Sequence, residues 1–168
     1  MRNFTLLCSI GFLSISSTYA QNATFQVKSL TPETALTAAR AAMEYCRDHG
    51  YQIAVAVSDR AGLTQVLLRD RYAGAHTIEA AQNKAWTAAS FRTPTTELAA
   101  ETQPGKAMNG LRSLTRFLPV GGGLAIEAGG ITLGAIGVSG APGGDADDAC
   151  AMAGIKAITE AIEFQENK

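Results

Sequence analysis

The residues of this chain best suited to chemistry are few: two histidines, three cysteines and a short run of acids. His76 stands where a loop, Arg69 to Ala75, enters a helix, a place often used for ligands. Imidazole is a common axial ligand of haem iron, so His76 is a candidate metal ligand, against the plainer reading of an exposed helix residue. Tyr72 lies on the same loop and can stack on or ligate a porphyrin. Arg69, Arg71 and Lys84 are the nearby cations. Such residues would meet carboxylates on a ligand; Arg69 and Arg71, taken singly, also fit a solvated turn, and Lys84 is the exception. Lys84 follows His76 by eight positions and so falls on about the same side of that helix. His49 sits in the last turn of an earlier helix, where it reads as structural.

Other motifs are weak. There is no Cys-x-x-Cys, no His-Glu-x-x-His and no Gly-x-Ser-x-Gly. Gly121-Gly122-Gly123 precedes a strand, whereas a phosphate cradle opens a helix. Tight-turn geometry is the first reading of these glycines, close approach of a ligand the second. Asp145, Asp147 and Asp148 suit the start of a helix, or a hard cation bound through oxygen. The net charge of −1 offers no basic face for nucleic acid.

These residues need elements to position them. Thr31-Pro32 opens a first helix, with Leu36, Ala39, Met43 and Cys46 on its apolar face and Gly50 as its stop. Gln52 to Ser58 reads as a buried strand, Asp59 to Gly62 as a turn, and Leu63 to Arg69 as the returning strand. A helix from His76 or Thr77 to Phe91 presents Ile78, Ala81, Ala85, Ala88 and Ala89, a face flat enough for close packing on a sheet. Pro94 ends it, a helical turn spans Thr95 to Glu101, and a short helix is expected from Lys106 to Leu114. Leu124 to Ala128 and Ile131 to Val138, joined across Gly129-Gly130, form a second tight hairpin. A final helix runs through Ala149, Met152, Ile155, Ile158 and Ile162. The pattern predicts an α/β (α+β) domain with a mainly antiparallel sheet covered by helices.

Residues 1–20 read as a cleaved export signal. Met1-Arg2-Asn3 is a basic start, Phe4 to Ile15 is mostly apolar, and Thr18 and Ala20 form a small-x-small exit that makes Gln21 the mature N-terminus. The apolar run is shorter than the about 20 residues of a membrane helix, so no integral span is expected after cleavage. Leu7 is too large to precede a lipidated cysteine, and Cys8 lies inside the apolar core. Residues 21–30 are then a short extension and residues 31–168 one domain, acting in the periplasm or outside the cell. Outside the cytoplasm Cys46 and Cys150 can oxidise, or they can pack as two buried thiols.

Five stretches carry a family resemblance. Lys84-Ala85-Trp86-Thr87-Ala88, with Thr96-Glu97-Leu98-Ala99, resembles the middle of the GlcG/HbpS family. Gly121 to Ile126, Gly134-Ala-Ile-Gly-Val-Ser-Gly-Ala141 and the acidic segment from Asp145 resemble its second half. The resemblance implies a profilin-like three-layer α/β/α domain with a five-stranded antiparallel sheet, assembled as a homo-oligomer. Some members, and the related C-terminal domain of PduO-type proteins, bind haem or have haem breakdown attributed to them. The family's Leu-Pro-Ile after the glycine pair is Leu124-Ala125-Ile126 here, a departure at that loop. A family haem contact through a threonine hydroxyl maps by position to Thr77, beside His76.

Two classes of function follow. The first is an extracytoplasmic protein that binds haem for uptake, storage or sensing, through His76, Thr77 and Tyr72. The second is an enzyme or accessory protein acting on a small organic acid or cofactor, with Lys84, Thr87, the loop carrying Gly122 and Gly123, and Glu127 as a base. A structural oligomer without ligand is the third and plainest reading.

Overall fold

A computed structural model describes residues 23–166; the export-signal reading of residues 1–20 lies outside them. Thr31 accepts from Thr34 N–H at 3.3 Å and caps α1 (Pro32–Asp48), with proline in its first turn. The chain then forms β1 (Ala54–Asp59), β2 (Thr64–Arg69), α2 (His76–Phe91), α3 (Thr95–Glu101), β3 (Gly123–Ala128), β4 (Ile131–Ser139), α4 (Gly144–Lys156) and α5 (Thr159–Glu166). The helix expected from Lys106 to Leu114 is a 3₁₀ turn, Asn109–Ser113.

The sheet is antiparallel, in the order β2-β1-β4-β3. Gly129 and Gly130 both have positive φ, 55° and 74°, the two-residue turn that closes the β3–β4 hairpin. Four strands are present among the described residues, not the five expected. A fifth does not form because Ser29 and Leu30 run beside β4 only briefly. Leu30 N–H donates to Leu133 C=O at 3.2 Å, and Thr31-Pro32 then turns the chain into α1.

Helices cover both faces, and the alternation of residue size along the strands explains how. Val55, Val57, Ile136 and Val138 point with Ile126 toward α1 and α4 and make the main core. Ala54 and Ala56 point the other way, against Ala81 and Ala85 of α2. Gly137 of β4 lies so close to α2 that an added Cβ would sit 2.1 Å from Ala81 C=O. The alanine face of α2 therefore rests almost directly on the sheet backbone.

The last helix departs from expectation in two ways. It breaks after Lys156, and Ile158, 2% exposed, enters the core at the break. Its buried face is Asp147, Cys150, Ala151 and Gly154, while Ala149 is exposed and Met152 is 55% exposed. Gly154 allows the close contact with Ala38 and Ala42 of α1. On α1, Ala39, Met43 and Cys46 are buried as expected, together with Ala35, Ala38 and Ala42, and Leu36 is half-buried.

Cys46 and Cys150 are bonded, with Cα atoms 5.6 Å apart, and so join α1 to α4 across a sequence separation of 104. A loop of that length raises the chain entropy lost on folding without the bond. Cys46→Ala with Cys150→Ala is expected to lower unfolding stability by about 2–5 kcal/mol, read from urea denaturation. An unchanged midpoint would show that the bond carries no stability.

Candidate functional site

A cleft follows from the close seat of α2. Lys84 projects from the alanine face, at a position 2% exposed, and needs a buried partner. It finds Asp147 of α4 at 2.7 Å and Val138 C=O of β4 at 2.9 Å. The second Asp147 oxygen accepts from Ala141 N–H at 3.0 Å. Burial pushes the Asp147 carboxyl above its ordinary range; Lys84 and Ala141 pull it back only in part, and Asp148 adds to the rise. The pair forms the floor of an open cleft of about 690 Å³.

Three walls rise from that floor. The first is the start of α2 with its preceding loop. Asp70, 2% exposed, receives Arg47 Nε at 2.6 Å and Arg47 Nη2 at 3.0 Å, and Arg71 N–H at 2.9 Å. Arg69 donates to Ala73 C=O. These contacts fix the turn that carries Tyr72, 80% exposed at the mouth, into His76. The His76 ring folds over Gly74, and no hydrogen bond to it occurs among the described residues. The second wall is Leu118 and Val120; the third is the loop from Ser139 to Gly144, with Tyr51 and Gln52 beside it.

The structure thus brings His76, Thr77, Tyr72 and Lys84 to one cleft. Thr77 is 1% exposed, and its hydroxyl donates to Gly74 C=O at 2.6 Å, so it closes the first turn of α2. The remaining candidates lie elsewhere. Thr87 is fully buried and accepts from Leu118 N–H at 3.0 Å, which fixes the second wall from behind. Glu127 is exposed on β3 and accepts from Thr132 at 3.0 Å. Gly122 and Gly123 pack beneath the floor. Gly122 N–H donates to Asp148, whose other oxygen accepts from Thr96, and Gly123 N–H donates to Thr95 at 2.8 Å. A Cβ on Gly122 would meet Val138 C=O at 2.4 Å and Lys84 Nζ at 3.0 Å. The glycines serve close backbone packing, and the pocket sketched around them and Glu127 does not assemble.

The acids are likewise divided. Asp147 pairs with Lys84, Asp148 clamps the glycines, and Asp145 is exposed. Among the described residues no three His, Cys, Asp or Glu side chains are placed to hold a metal ion. His49 caps α1, bonds Tyr45 C=O through Nδ1 at 2.8 Å and stacks on the Tyr45 ring at 4.3 Å, in keeping with a structural role. Sequence reasoning missed Ser139, Gln52 and the Arg47–Asp70 pair. One signal for the Lys84–Asp147 pair was present: a lysine on the buried, alanine-rich face of α2 demands a buried acid.

Two outcomes test this construction. Lys84→Met leaves the Asp147 charge buried and unpaired, with an expected loss of about 3–5 kcal/mol in urea denaturation. Adding Asp147→Asn should recover part of it, because the amide still accepts from Ala141 and buries no charge; equal loss in both variants would contradict the pairing. Arg47 holds the Asp70 carboxyl below its ordinary value. The stability from that pair is therefore present above the ordinary carboxylate range and lost as pH falls through the lowered value. Asp70→Asn should flatten the acid limb of stability against pH, and an unchanged limb would count against it.

Known proteins share this fold. The family model described as "Haem degrading protein HbpS-like" matches residues 30–156. The corrinoid adenosyltransferase PduO of Salmonella typhimurium is 37% identical over 103 residues, 60% of this chain, and the match spans only 31% of that longer protein. The crystal structure of HbpS superposes with a TM-score of 0.77 at 39% identity, covering 84% of this chain and 99% of that one. The crystal structure of a PduOC:heme complex superposes with a TM-score of 0.73 at 33% identity, covering 77% and 95%. The chain belongs to the HbpS-like family.

Proposed function

We propose that this protein binds haem in the cleft above Lys84 and Asp147, with His76 as the iron ligand and Tyr72 against the macrocycle edge. The observation that carries the reading is the His76 imidazole, exposed at the mouth of the cleft with no hydrogen-bond partner among the described residues. An imidazole held in that way is available to a metal. The cleft volume falls within the roughly 300–1,000 Å³ of small-molecule sites. Leu118, Val120, Ala80 and Pro142 give it apolar surface for a flat macrocycle. Haem, when bound, supplies the redox-active iron; the chain's own residues ligate, orient and shield it. The PduOC:heme complex, a neighbour in fold and sequence, supports the same ligand.

We also place the protein outside the cytoplasm. The export-signal pattern of residues 1–20 supports this, and so does a buried disulfide, which persists in oxidising compartments. Capture of haem for uptake, storage or sensing is the role that fits such a location. Among the described residues, no helix is long and apolar enough to cross a membrane.

Hemin titrated into the mature protein should give a saturable Soret shift at one haem per chain. His76→Ala is expected to weaken binding by about tenfold or more and to change the band position, and Tyr72→Ala to weaken it less. No shift, or the same shift and affinity in His76→Ala, would overturn the assignment.

A further inference from the structure

The part of the cleft around Lys84, about two turns along α2 from His76, has polar groups that the fold leaves unused. Ser139 ends β4 and is 7% exposed, and it lines the cleft. Its hydroxyl makes no hydrogen bond among the described residues, unlike the hydroxyls of Ser58 and Thr132 on the same sheet. Lys84 Nζ donates to the carbonyl of Val138, the residue just before Ser139, and both Lys84 and Ser139 line the cleft. An ammonium has three N–H donors, and Val138 and Asp147 take two of them. The third has no acceptor among the described residues.

The start of α4 adds further donors. Gly143 is its N-cap and provides no side-chain cap, and Gly143 and Gly144 both line the cleft. The first-turn N–H groups of a helix lack intrahelical acceptors and favour negative charge. Of the three acids near this turn, Asp145 is exposed and the other two have partners in the fold. Asp147 turns to Lys84 and Ala141 N–H, and Asp148 turns to Gly122 N–H and Thr96. The Asp147 charge is compensated by Lys84 at 2.7 Å.

We infer that Ser139, Lys84 and the first turn of α4 form a carboxylate-binding subsite, which receives an acidic side arm of the ligand while the His76 mouth of the cleft faces the iron. This rests on the haem reading above and extends it: haem carries two propionate groups on one edge, and the subsite fixes which edge enters. Haem enters propionates first, with the iron left toward His76. The bond set is a hydroxyl, an ammonium N–H and main-chain N–H groups converging on one carboxylate, an arrangement of charge-assisted hydrogen bonds.

The test compares hemin with hemin dimethyl ester, which keeps iron and macrocycle and removes both acids. Each is titrated into the mature protein and into Ser139→Ala, with succinate as a third probe followed by thermal shift. The wild-type protein is expected to bind hemin about tenfold more tightly than the ester, and Ser139→Ala to reduce that ratio by about three- to fivefold. Equal binding of hemin and ester by the wild-type protein overturns the subsite and leaves the haem reading standing. Binding of neither overturns the haem reading and the propionate assignment with it. Stabilisation by succinate without binding of hemin would assign the subsite to a free small acid and overturn the proposal as stated.

Discussion

Lys84 and Asp147 meet at 2.7 Å beneath the cleft, each nearly shut off from solvent. One residue stands on α2 and the other on α4, and the ammonium also takes the Val138 carbonyl of β4. The contact therefore joins the two faces of the sheet around the end of β4. Buried ion pairs contribute little net stability, because desolvation consumes most of the attraction. Their value is positional: neither partner can leave without stranding the other. Gly137 makes the contact reachable by letting α2 approach the sheet backbone, and Gly122 leaves room for the ammonium.

Everything around the floor is held by a second set of constraints. The disulfide joins Cys46 of α1 to Cys150, one turn beyond Asp147 on α4. The residue after Cys46 is Arg47, which grips Asp70 and so the turn that presents Tyr72 and His76. One helix end thus connects the covalent bridge, the loop at the mouth and, through α4, the charged floor. Two cleft-lining side chains, His76 and Ser139, make no hydrogen bond among the described residues.

Much of the fold was legible in the sequence, because it is written in local patterns. Thr31-Pro32, Gly129-Gly130 and the alanine spacing of α2 each specify geometry within a few residues. The fifth strand and the face of the last helix were not legible, since both depend on distant partners. Asp147 and Cys150 turn inward because Lys84 and Cys46 wait there, over 60 and 100 positions away. Local periodicity instead favoured Ala149 and Met152. The site was half legible. His76, Tyr72 and Lys84 share the cleft, whereas Glu127 and Thr87 were joined to it by sequence proximity to the right elements, and strand alternation sends Glu127 outward. Ser139 carried no local signal, because an unfilled hydroxyl is visible only once its surroundings are built.

The proposal is spatial: haem iron would sit at the His76 mouth of the cleft over the Lys84–Asp147 floor. Anomalous diffraction at the iron edge, from crystals of the mature protein grown with hemin, locates the metal directly. The account predicts a single iron peak bonded to the His76 imidazole, with the macrocycle between Tyr72 and the Ser139 end. An iron peak elsewhere, such as the smaller cavity of about 310 Å³ between Leu30 and Ile162, would contradict it.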